Sequence, residues 1–290
     1  MTIQAFDLLR PHTIEEASEQ LLRYGDEARL IAGGTTLVIL MKQRALHYHY
    51  LIDLQSIPQM NLITQESDGV RIGALATHRM VECSPLVRQM FPVVAQAFGK
   101  IGNVRVRHTA TVGGNLAHAD YRLDPPPALL ALGAEVTVFG PQGWRRIPLK
   151  DFFRGMYECA LEPGEILVDV NIPRMLANSR ALYLRFSSLS AGDWPCLGVA
   201  ALLSLENGLC RELRLALGGV AATPLFIDNL DFVRGQHIDA QLVGKIHNVV
   251  DEQISPFSDF RGSEWYKRQM VRLFVKKAVY QLSGQVANKE

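Results

Sequence analysis

Two Gly-Gly pairs, each directly after a short apolar stretch, are the residues of this chain best suited to hold an anionic ligand. Gly33-Gly34 is followed by Thr35-Thr36, and Gly113-Gly114 is followed by Asn115. Glycine permits positive φ and a close approach of the backbone to a ligand, so successive N–H groups can point at one anion. The threonine hydroxyls and the asparagine amide add side-chain donors. The turns therefore predict a phosphate-containing ligand that is gripped without lysine or arginine.

A single Gly-Gly turn between a strand and a helix is more often structural than ligand-binding. The chain contains neither the GxGxxG pattern of nicotinamide Rossmann sites nor the GxxxxGK[ST] pattern of a P-loop. Two such turns with hydroxyl or amide neighbours leave two interpretations open, a structural role and a phosphate-containing ligand such as a tightly held dinucleotide cofactor.

Other polar residues are weaker candidates. His47 and His49 are two positions apart, a spacing on one strand face that metals can use, but no third ligand is evident and a structural role is favoured. Arg105 and Arg107 alternate as on a strand and could contact phosphate or form a solvated face. His118 could touch a cofactor or stabilise its loop. No general acid, base, nucleophile or metal site is assigned.

The cysteines and the charge balance narrow the class of protein. The four cysteines are too far apart for a CxxC metal knuckle or an iron–sulfur run, which indicates reduced thiols in a cytoplasmic protein and places any iron–sulfur centre on another chain. With 30 basic and 29 acidic residues, the formal net charge of +1 gives no reason to expect nucleic acid.

The apolar stretches and the first residues of the chain suggest neither a membrane protein nor an exported one. The longest apolar stretch, Leu30–Met41, carries a Gly-Gly-Thr-Thr break and falls short of the roughly 18 apolar residues that a membrane span requires. The first ten residues show no secretory signal. We therefore expect a cytoplasmic protein without a membrane span.

The elements around the first turn follow from pattern. Thr13 and Glu16 form a capping box ahead of spaced apolar residues, so a helix is predicted over about 13–24. The sequence then predicts a strand over 28–32, the glycine turn, a buried helix over 37–41 and a strand over 47–53.

The remaining elements change in character along the chain. The middle of the chain predicts a hairpin at Asp68-Gly69, a helix over 85–98, a helix that begins at Pro125, and a hairpin at 140–143. After a linker at 173–179, it predicts a hairpin at Asn207-Gly208 and helices over about 239–254 and 263–282. Strands followed by helices in separate blocks favour an α+β tail.

Several stretches resemble the flavoprotein family of xanthine dehydrogenase and carbon monoxide dehydrogenase. Ala32–Leu37 (AGGTTL) is similar to the first flavin-binding loop of that family, and Ile101–Asp124 (IGNVRVRHTATVGGNLAHADYRLD) is similar to the second. Further similar stretches are Gly164–Leu167 with Ile172-Pro173, Leu217–Pro224 and Asp259–Lys267. The resemblance thus spans nearly the whole chain.

The resemblance implies an α+β fold with two domains. The first would be a two-subdomain FAD-binding domain of the vanillyl-alcohol-oxidase/PCMH type over residues 1–176, with subdomains of about 1–56 and 57–176. The second would be a smaller α+β domain over 180–286, with an antiparallel sheet and helices.

The resemblance also implies a set of FAD-binding residues. Asp124 would accept hydrogen bonds from the ribose or adenine end of FAD, and Ile101 and Leu167 would pack against the flavin or its linker. Arg185 stands where relatives often have a lysine near the isoalloxazine, and Trp194 could stack on the flavin and gate the acceptor. The pyrophosphate would be wrapped by Ala32, Gly33, Gly34, Thr35, Thr36 and Leu37, and by Thr111, Val112, Gly113, Gly114 and Asn115.

Some positions depart from the family pattern. Arg105 and His108 stand where relatives usually have Gln and Asn, and Tyr121 stands at a common Pro position. Arg185, in place of the lysine of relatives, keeps the positive charge but changes the geometry of the hydrogen-bond donors. These departures bear on the redox tuning of the flavin and on the choice of acceptor.

The implied function is electron transfer within a molybdenum hydroxylase. The chain would take electrons from an iron–sulfur small subunit beside a molybdopterin large subunit, in a dimer of heterotrimers, and pass them to an external acceptor. Molybdopterin and [2Fe–2S] clusters would lie only on those partners. The alternatives are a non-catalytic nucleotide-binding assembly module and a self-sufficient flavin oxidoreductase.

Overall fold

The computed structural model describes residues 3–190 and 192–284. Residues 285 and 286, which the sequence places at the end of the second domain, lie outside the described residues, as do Met1 and Thr2. Among the described residues, no helix combines the length and the apolar character that crossing a bilayer requires.

The N-terminal part is a three-stranded parallel sheet with two helices. The strands lie in the order β1-β3-β2. The elements are β1 (Asp7–Leu9), α1 (Ile14–Tyr24), β2 (Ala28–Ile31), α2 (Leu37–Lys42) and β3 (Tyr50–Asp53).

Both helices of this part were predicted, with one correction each. Thr13 caps α1 by accepting the N–H of Glu16, but the Glu16 carboxylate accepts the N–H of His12 instead of closing the box on Thr13. Helix α2 is not the buried helix that the sequence predicts, because Met41 is its only buried residue and Ile39 is 54% exposed.

The middle part is built on a five-stranded antiparallel sheet in the order β4-β5-β10-β6-β7. Its strands are β4 (Ile63–Gln65), β5 (Gly69–Gly73), β6 (Glu135–Gly140), β7 (Gly143–Pro148) and β10 (Ile166–Pro173), and β8 (Phe153–Gly155) and β9 (Glu158–Cys159) form a small separate hairpin. The hairpins predicted at Asp68-Gly69 and at 140–143 are confirmed.

Short helices fill the gap between β5 and β6. They are α3 (His78–Cys83), α4 (Pro85–Met90), α5 (Pro92–Gly99), α6 (Val104–Thr109), α7 (Val112–His118) and α8 (Pro125–Ala131). The single helix predicted over 85–98 is wrong, because Phe91 leaves the helical conformation (φ −138°, ψ 63°) where Pro92 cannot continue the hydrogen-bond ladder. Arg105 and Arg107 lie on helix α6 and not on a strand, since Asn103 caps that helix at Val106 N–H.

The C-terminal part is a four-stranded antiparallel sheet in the order β11-β12-β13-β14, covered by two helices. The strands are β11 (Ser179–Phe186), β12 (Leu197–Glu206), β13 (Leu209–Gly218) and β14 (Leu225–Phe226), and the helices are α9 (Ala240–Gln253) and α10 (Glu264–Ser283). The predicted hairpin and both helices are confirmed.

The sequence also predicts an apolar face of α10 made of Met270, Leu273, Phe274 and Ala278, and this prediction is partly wrong. Leu273 is 53% exposed, whereas Val271 and Val275 are fully buried. The buried face also contains Lys267, whose ammonium pairs with Asp259 at 3.0 Å. A buried lysine is stabilised by such a partner, and an apolar pattern does not reveal it.

Strand β12 joins the two halves of the molecule. Its side chains alternate, and Ala200 and Leu202 belong to the core of the N-terminal and middle parts. Val199, Ala201 and Leu203 point the other way into the core with α9 and α10. Burial on both faces explains why the strand reads as a nearly continuous apolar run.

Candidate functional site

The two glycine turns contact each other in the fold. A Cβ atom on Gly33 would lie 2.0 Å from the carbonyl oxygen of Thr109, so only glycine permits this approach. Thr109 ends helix α6 and stands two residues before Thr111, where the second turn begins. The fold therefore brings together two turns that are far apart in the sequence.

The first turn carries a row of unused donors. No acceptor within the described residues receives the backbone N–H groups of Gly33, Gly34, Thr35 or Thr36. Gly34 has a φ of +67°, which turns the chain into α2, and the first helical hydrogen bond runs from Val38 N–H to the Gly34 carbonyl at 3.0 Å. Such a group of oriented N–H donors is suited to bind an anion.

The second turn is different, and the expectation that its N–H groups also point at the anion is wrong. All four N–H groups from Val112 to Asn115 are donated within the chain. The acceptors are the carbonyls of Ala76 (2.9 Å), Ala74 (2.8 Å) and Thr111 (2.9 Å) and the Thr111 hydroxyl (3.2 Å). These bonds fix the backbone of the second turn beside β5 and the segment that follows it. This fixed backbone forms one wall of the candidate site.

Gly113 and Gly114 have different structural roles in the second turn. A Cβ on Gly113 would lie 2.6 Å from the Ala74 Cβ, so this glycine is needed for packing. A Cβ on Gly114 would meet only the Thr111 hydroxyl within 4 Å, so that side is otherwise open. Beside it, the Asn115 side-chain oxygen is buried without a hydrogen-bond partner among the described residues. The second turn therefore offers an open face and an unsatisfied amide.

His78 contacts the second turn and helps to hold it in place, a role that the sequence did not reveal. Its ring is buried, and Nε2 lies 3.1 Å from the Thr111 carbonyl oxygen. Burial lowers the pKa of His78 to about 4, so the ring is neutral near pH 7 and Nε2–H donates to that carbonyl. Its only sequence signal is a position after the capping residue Thr77, which does not distinguish it from any helix start.

Asp124 and Arg185 form an ion pair between the two halves of the molecule. One carboxylate oxygen of Asp124 lies 2.8 Å from Arg185 Nε and 2.7 Å from the Tyr183 hydroxyl. Asp124 is 4% exposed, and burial raises the pKa of its carboxyl while the Arg185 guanidinium opposes that rise. No sequence pattern indicates that these two predicted ligands pair with each other.

Trp194 lies beside the second predicted flavin loop. The guanidinium carbon of Arg122 is 5.3 Å from the centre of the Trp194 ring, and Arg122 belongs to the stretch 101–124. The Asp193 carboxylate accepts the Trp194 N–H at 2.8 Å, and Arg185 donates to the Asp193 carbonyl. Trp194 is 47% exposed, so part of its surface is available to a ligand.

The other predicted residues lie apart from this cluster. Leu167 is buried in β10, and Ile101 is half-buried at the edge of the same core. The His47 and His49 rings are 4.9 Å apart, and His49 also faces Glu27 at 3.9 Å. No group of three or more His, Cys, Asp or Glu side chains in the described ranges is placed to hold a metal ion.

Comparison with known sequences assigns the family. A family described as the FAD binding domain in molybdopterin dehydrogenase matches residues 4–175, which contain both glycine turns. The chain belongs to this family of molybdenum hydroxylase flavoproteins. The family of CO dehydrogenase flavoprotein C-terminal domains matches residues 183–282.

Relatives in this family align along nearly the whole chain. The glyceraldehyde dehydrogenase medium chain of Sulfolobus acidocaldarius is 31% identical over 94% of this chain and 96% of its own. The carbon monoxide dehydrogenase medium chain of Afipia carboxidovorans is 30% identical over 98% and 99%. A solved carbon monoxide dehydrogenase structure from Hydrogenophaga pseudoflava superposes with a TM-score of 0.94 at 30% identity, covering 99% of this chain and 100% of that one.

FAD is the cofactor of this flavoprotein family, and the residues present here fit it. The unused N–H row at Gly33 to Thr36 suits a pyrophosphate, and the missing side chain of Gly114 permits a close approach to the backbone. The unpartnered Asn115 amide supplies a further polar contact.

Proposed function

We propose that this chain is the FAD-bearing electron-transfer subunit of a molybdenum hydroxylase complex. It takes electrons from an iron–sulfur small subunit and passes them to an external acceptor, beside a molybdopterin large subunit in a dimer of heterotrimers. Support comes from relatives that are named as medium chains of dehydrogenases. Their substrates differ although the medium chains are alike, which fits substrate recognition on another subunit.

The contact between the two glycine turns carries the proposal. The first turn supplies free donors, and the second supplies a fixed wall. In this division of roles, Gly33 to Thr36 bind the pyrophosphate charge, while Gly114 permits its approach and Asn115 adds a polar contact. Ala32 and Leu37 complete the first turn, and Thr111 to Gly113 complete the second.

The remaining predicted ligands would orient the two ends of the cofactor. FAD supplies two-electron redox chemistry when bound, and the protein supplies binding, orientation and electrostatics. Asp124 keeps one carboxylate oxygen beyond its Arg185 contact for the ribose or adenine end, and Ile101 and Leu167 give apolar surface. Trp194 would cover one face of the ring system and exclude water there.

We also place the domain boundary in the linker after β10 and the protein in the cytoplasm. The first domain would cover 1–176 and the second 180–286, which agrees with separate sheets on either side of residues 174–178. A reducing compartment is supported by four free thiols, Cys83, Cys159, Cys196 and Cys210.

The proposal is tested by purifying the complex through a tag on this chain. We expect a small cysteine-rich subunit and a large subunit to co-purify, with flavin absorption bands near about 370 and 450 nm. The flavin band should bleach under anaerobic reduction and recover with an acceptor. Turnover by this chain alone would instead identify a self-sufficient oxidoreductase, and a colourless chain would identify an assembly module.

A further inference from the structure

Arg261 is a buried arginine whose hydrogen bonding is incomplete. Its side chain is 5% exposed, and Nη2 lies 2.9 Å from a carboxylate oxygen of Asp193. Nε and Nη1 are buried without a hydrogen-bond partner among the described residues. The guanidinium carbon lies 4.1 Å from the centre of the ring of Phe260, an exposed residue.

Stability alone does not account for this arrangement. A buried donor without an acceptor lowers the stability of the fold, and Arg261 leaves two nitrogen atoms in this state. Its partner Asp193 has a side chain that is 21% exposed, so removal of the arginine leaves a carboxylate that water can still reach. An arginine kept under these conditions therefore calls for another role.

Asp193 connects Arg261 to Trp194. The carboxylate oxygen that meets Arg261 also accepts the backbone N–H of Trp194 at 2.8 Å. Arg261 holds the pKa of the Asp193 carboxyl below its usual value, so the acceptor stays charged near neutral pH. Arg185 fixes the same corner by donating to the Asp193 carbonyl.

The Trp194 ring is held from the other half of the molecule. Arg122 lies against it, and Asp120 fixes the Arg122 guanidinium through two bonds of 2.8 and 2.9 Å. The ring is therefore located by Arg122, and its backbone is located by Asp193. Only the second of these constraints depends on Arg261.

We propose that Arg261 is a positioning residue for Trp194 and acts through the Asp193 carboxylate. Its consequence for the flavin rests on the proposed function, in which Trp194 covers the ring system. The positioning itself concerns only contacts within this chain, so it can be measured with or without the cofactor.

The test uses the full chain with Trp144→Phe and Trp265→Phe, both exposed positions, so that Trp194 is the only tryptophan. Into this parent we introduce Arg261→Met, Arg261→Lys and, as a matched control, Arg234→Met, which removes an exposed pair with Asp231. Acrylamide quenching should rise about twofold in Arg261→Met because the freed side chain samples more rotamers. Arg261→Lys should restore most of the protection, and Arg234→Met should match the parent.

Thermal unfolding separates positioning from a general structural role. We expect Arg261→Met to melt at the parent temperature or above it. Unchanged quenching in Arg261→Met would overturn the proposal, and so would increased quenching that accompanies a lower melting temperature and persists in Arg261→Lys. If Arg261→Met does not fold, Asp193→Asn provides the readout, with a smaller rise expected and no rise contradicting the proposal.

A second measurement links the result to the cofactor. In the purified complex, Trp194→Leu and Arg261→Met should both increase flavin fluorescence, and the double variant should equal Trp194→Leu alone. An increase with Trp194→Leu but none with Arg261→Met would overturn the positioning role while the proposed function stands. A complex without FAD would contradict the proposed function, and quenching in the chain would still decide the role of Arg261.

Discussion

His78 makes the second glycine turn sensitive to acid. Its pKa is about 4 in the fold, against an ordinary value of 6.5. Below pH 6.5 the unfolded chain takes up a proton that the folded chain refuses, so stability is lost as the pH falls from about 6.5 to 4 and is fully present above that range. A difference of this size corresponds to about 3 kcal/mol.

Replacement of His78 by glutamine should remove this part of the acid sensitivity. Glutamine can still donate to the Thr111 carbonyl, but it does not titrate. We expect urea midpoints at neutral pH and near pH 5 to lie closer together in His78→Gln than in the wild type. His237→Gln, at an exposed position, is the control. Equal pH dependence in all three proteins would contradict the assignment.

The buried pair of Asp124 and Arg185 leads to a second prediction. Arg185→Met should destabilise the fold by about 3–5 kcal/mol, because it leaves the Asp124 carboxylate buried without its charge partner. The double variant Asp124→Asn with Arg185→Met should recover much of this loss in thermal unfolding. If the double variant loses as much stability as Asp124→Asn and Arg185→Met lose together, the pair does not act as a unit.

Arg185 also tests the electrostatics of the flavin. If its positive charge lies near the ring, it stabilises the reduced anionic form, and Arg185→Met should shift the flavin reduction potential to more negative values. The measurement is a spectroscopic redox titration of the purified complex. An unchanged potential would assign Arg185 to the pairing of the two halves alone.

Among contacts between elements, the close approach of the two turns makes Gly33→Ala the most informative substitution. Gly33→Ala places a methyl group 2.0 Å from the Thr109 carbonyl oxygen, a backbone atom that cannot move aside without shifting α6. We expect loss of bound FAD and a clear drop in the melting temperature, because the turns must separate.

The control for this substitution is Gly244→Ala in helix α9. No atom lies within 4 Å of the added methyl group, and alanine stabilises a helix interior by about 0.5–1 kcal/mol. Flavin content should stay at the wild-type level. Retention of FAD in Gly33→Ala would show that the contact between the turns is not required for binding.

Local patterns predicted elements well where one signal dominates. The capping residue of α1 and the turn Asn207-Gly208 are such cases. The prediction fails where two signals compete, as at Phe91-Pro92, where an apolar run hides a proline break. It also fails at α6, whose alternating Val and Arg residues suggest a strand until Asn103 caps them into a helix.

Contacts distant in sequence lay beyond such patterns. Both glycine turns were evident, but not their contact or the use of the second turn's N–H groups by Ala74 and Ala76. The pairing of Asp124 with Arg185 likewise depends on how β11 packs against α8. Physical reasoning from the sequence identified the ligand class, and the resemblance to the family supplied the flavin.

At the scale of the whole molecule, β12 makes one unit of the two domains. Its two faces complete two hydrophobic cores. All seven residues of α8 are buried, beneath the C-terminal sheet. The residues proposed for the cofactor come from both sides of this junction. Cofactor binding should therefore depend on the intact chain and not on the first domain alone.

We propose that the paired turns hold one FAD. The direct measurement is the flavin content of the complex purified through this chain, compared with the concentration of the chain itself. We predict about one FAD per copy of the chain, released on denaturation as a free flavin with its band near 450 nm. Folded complex with both turns intact that carries no flavin, and that takes up none when FAD is added, would contradict the account.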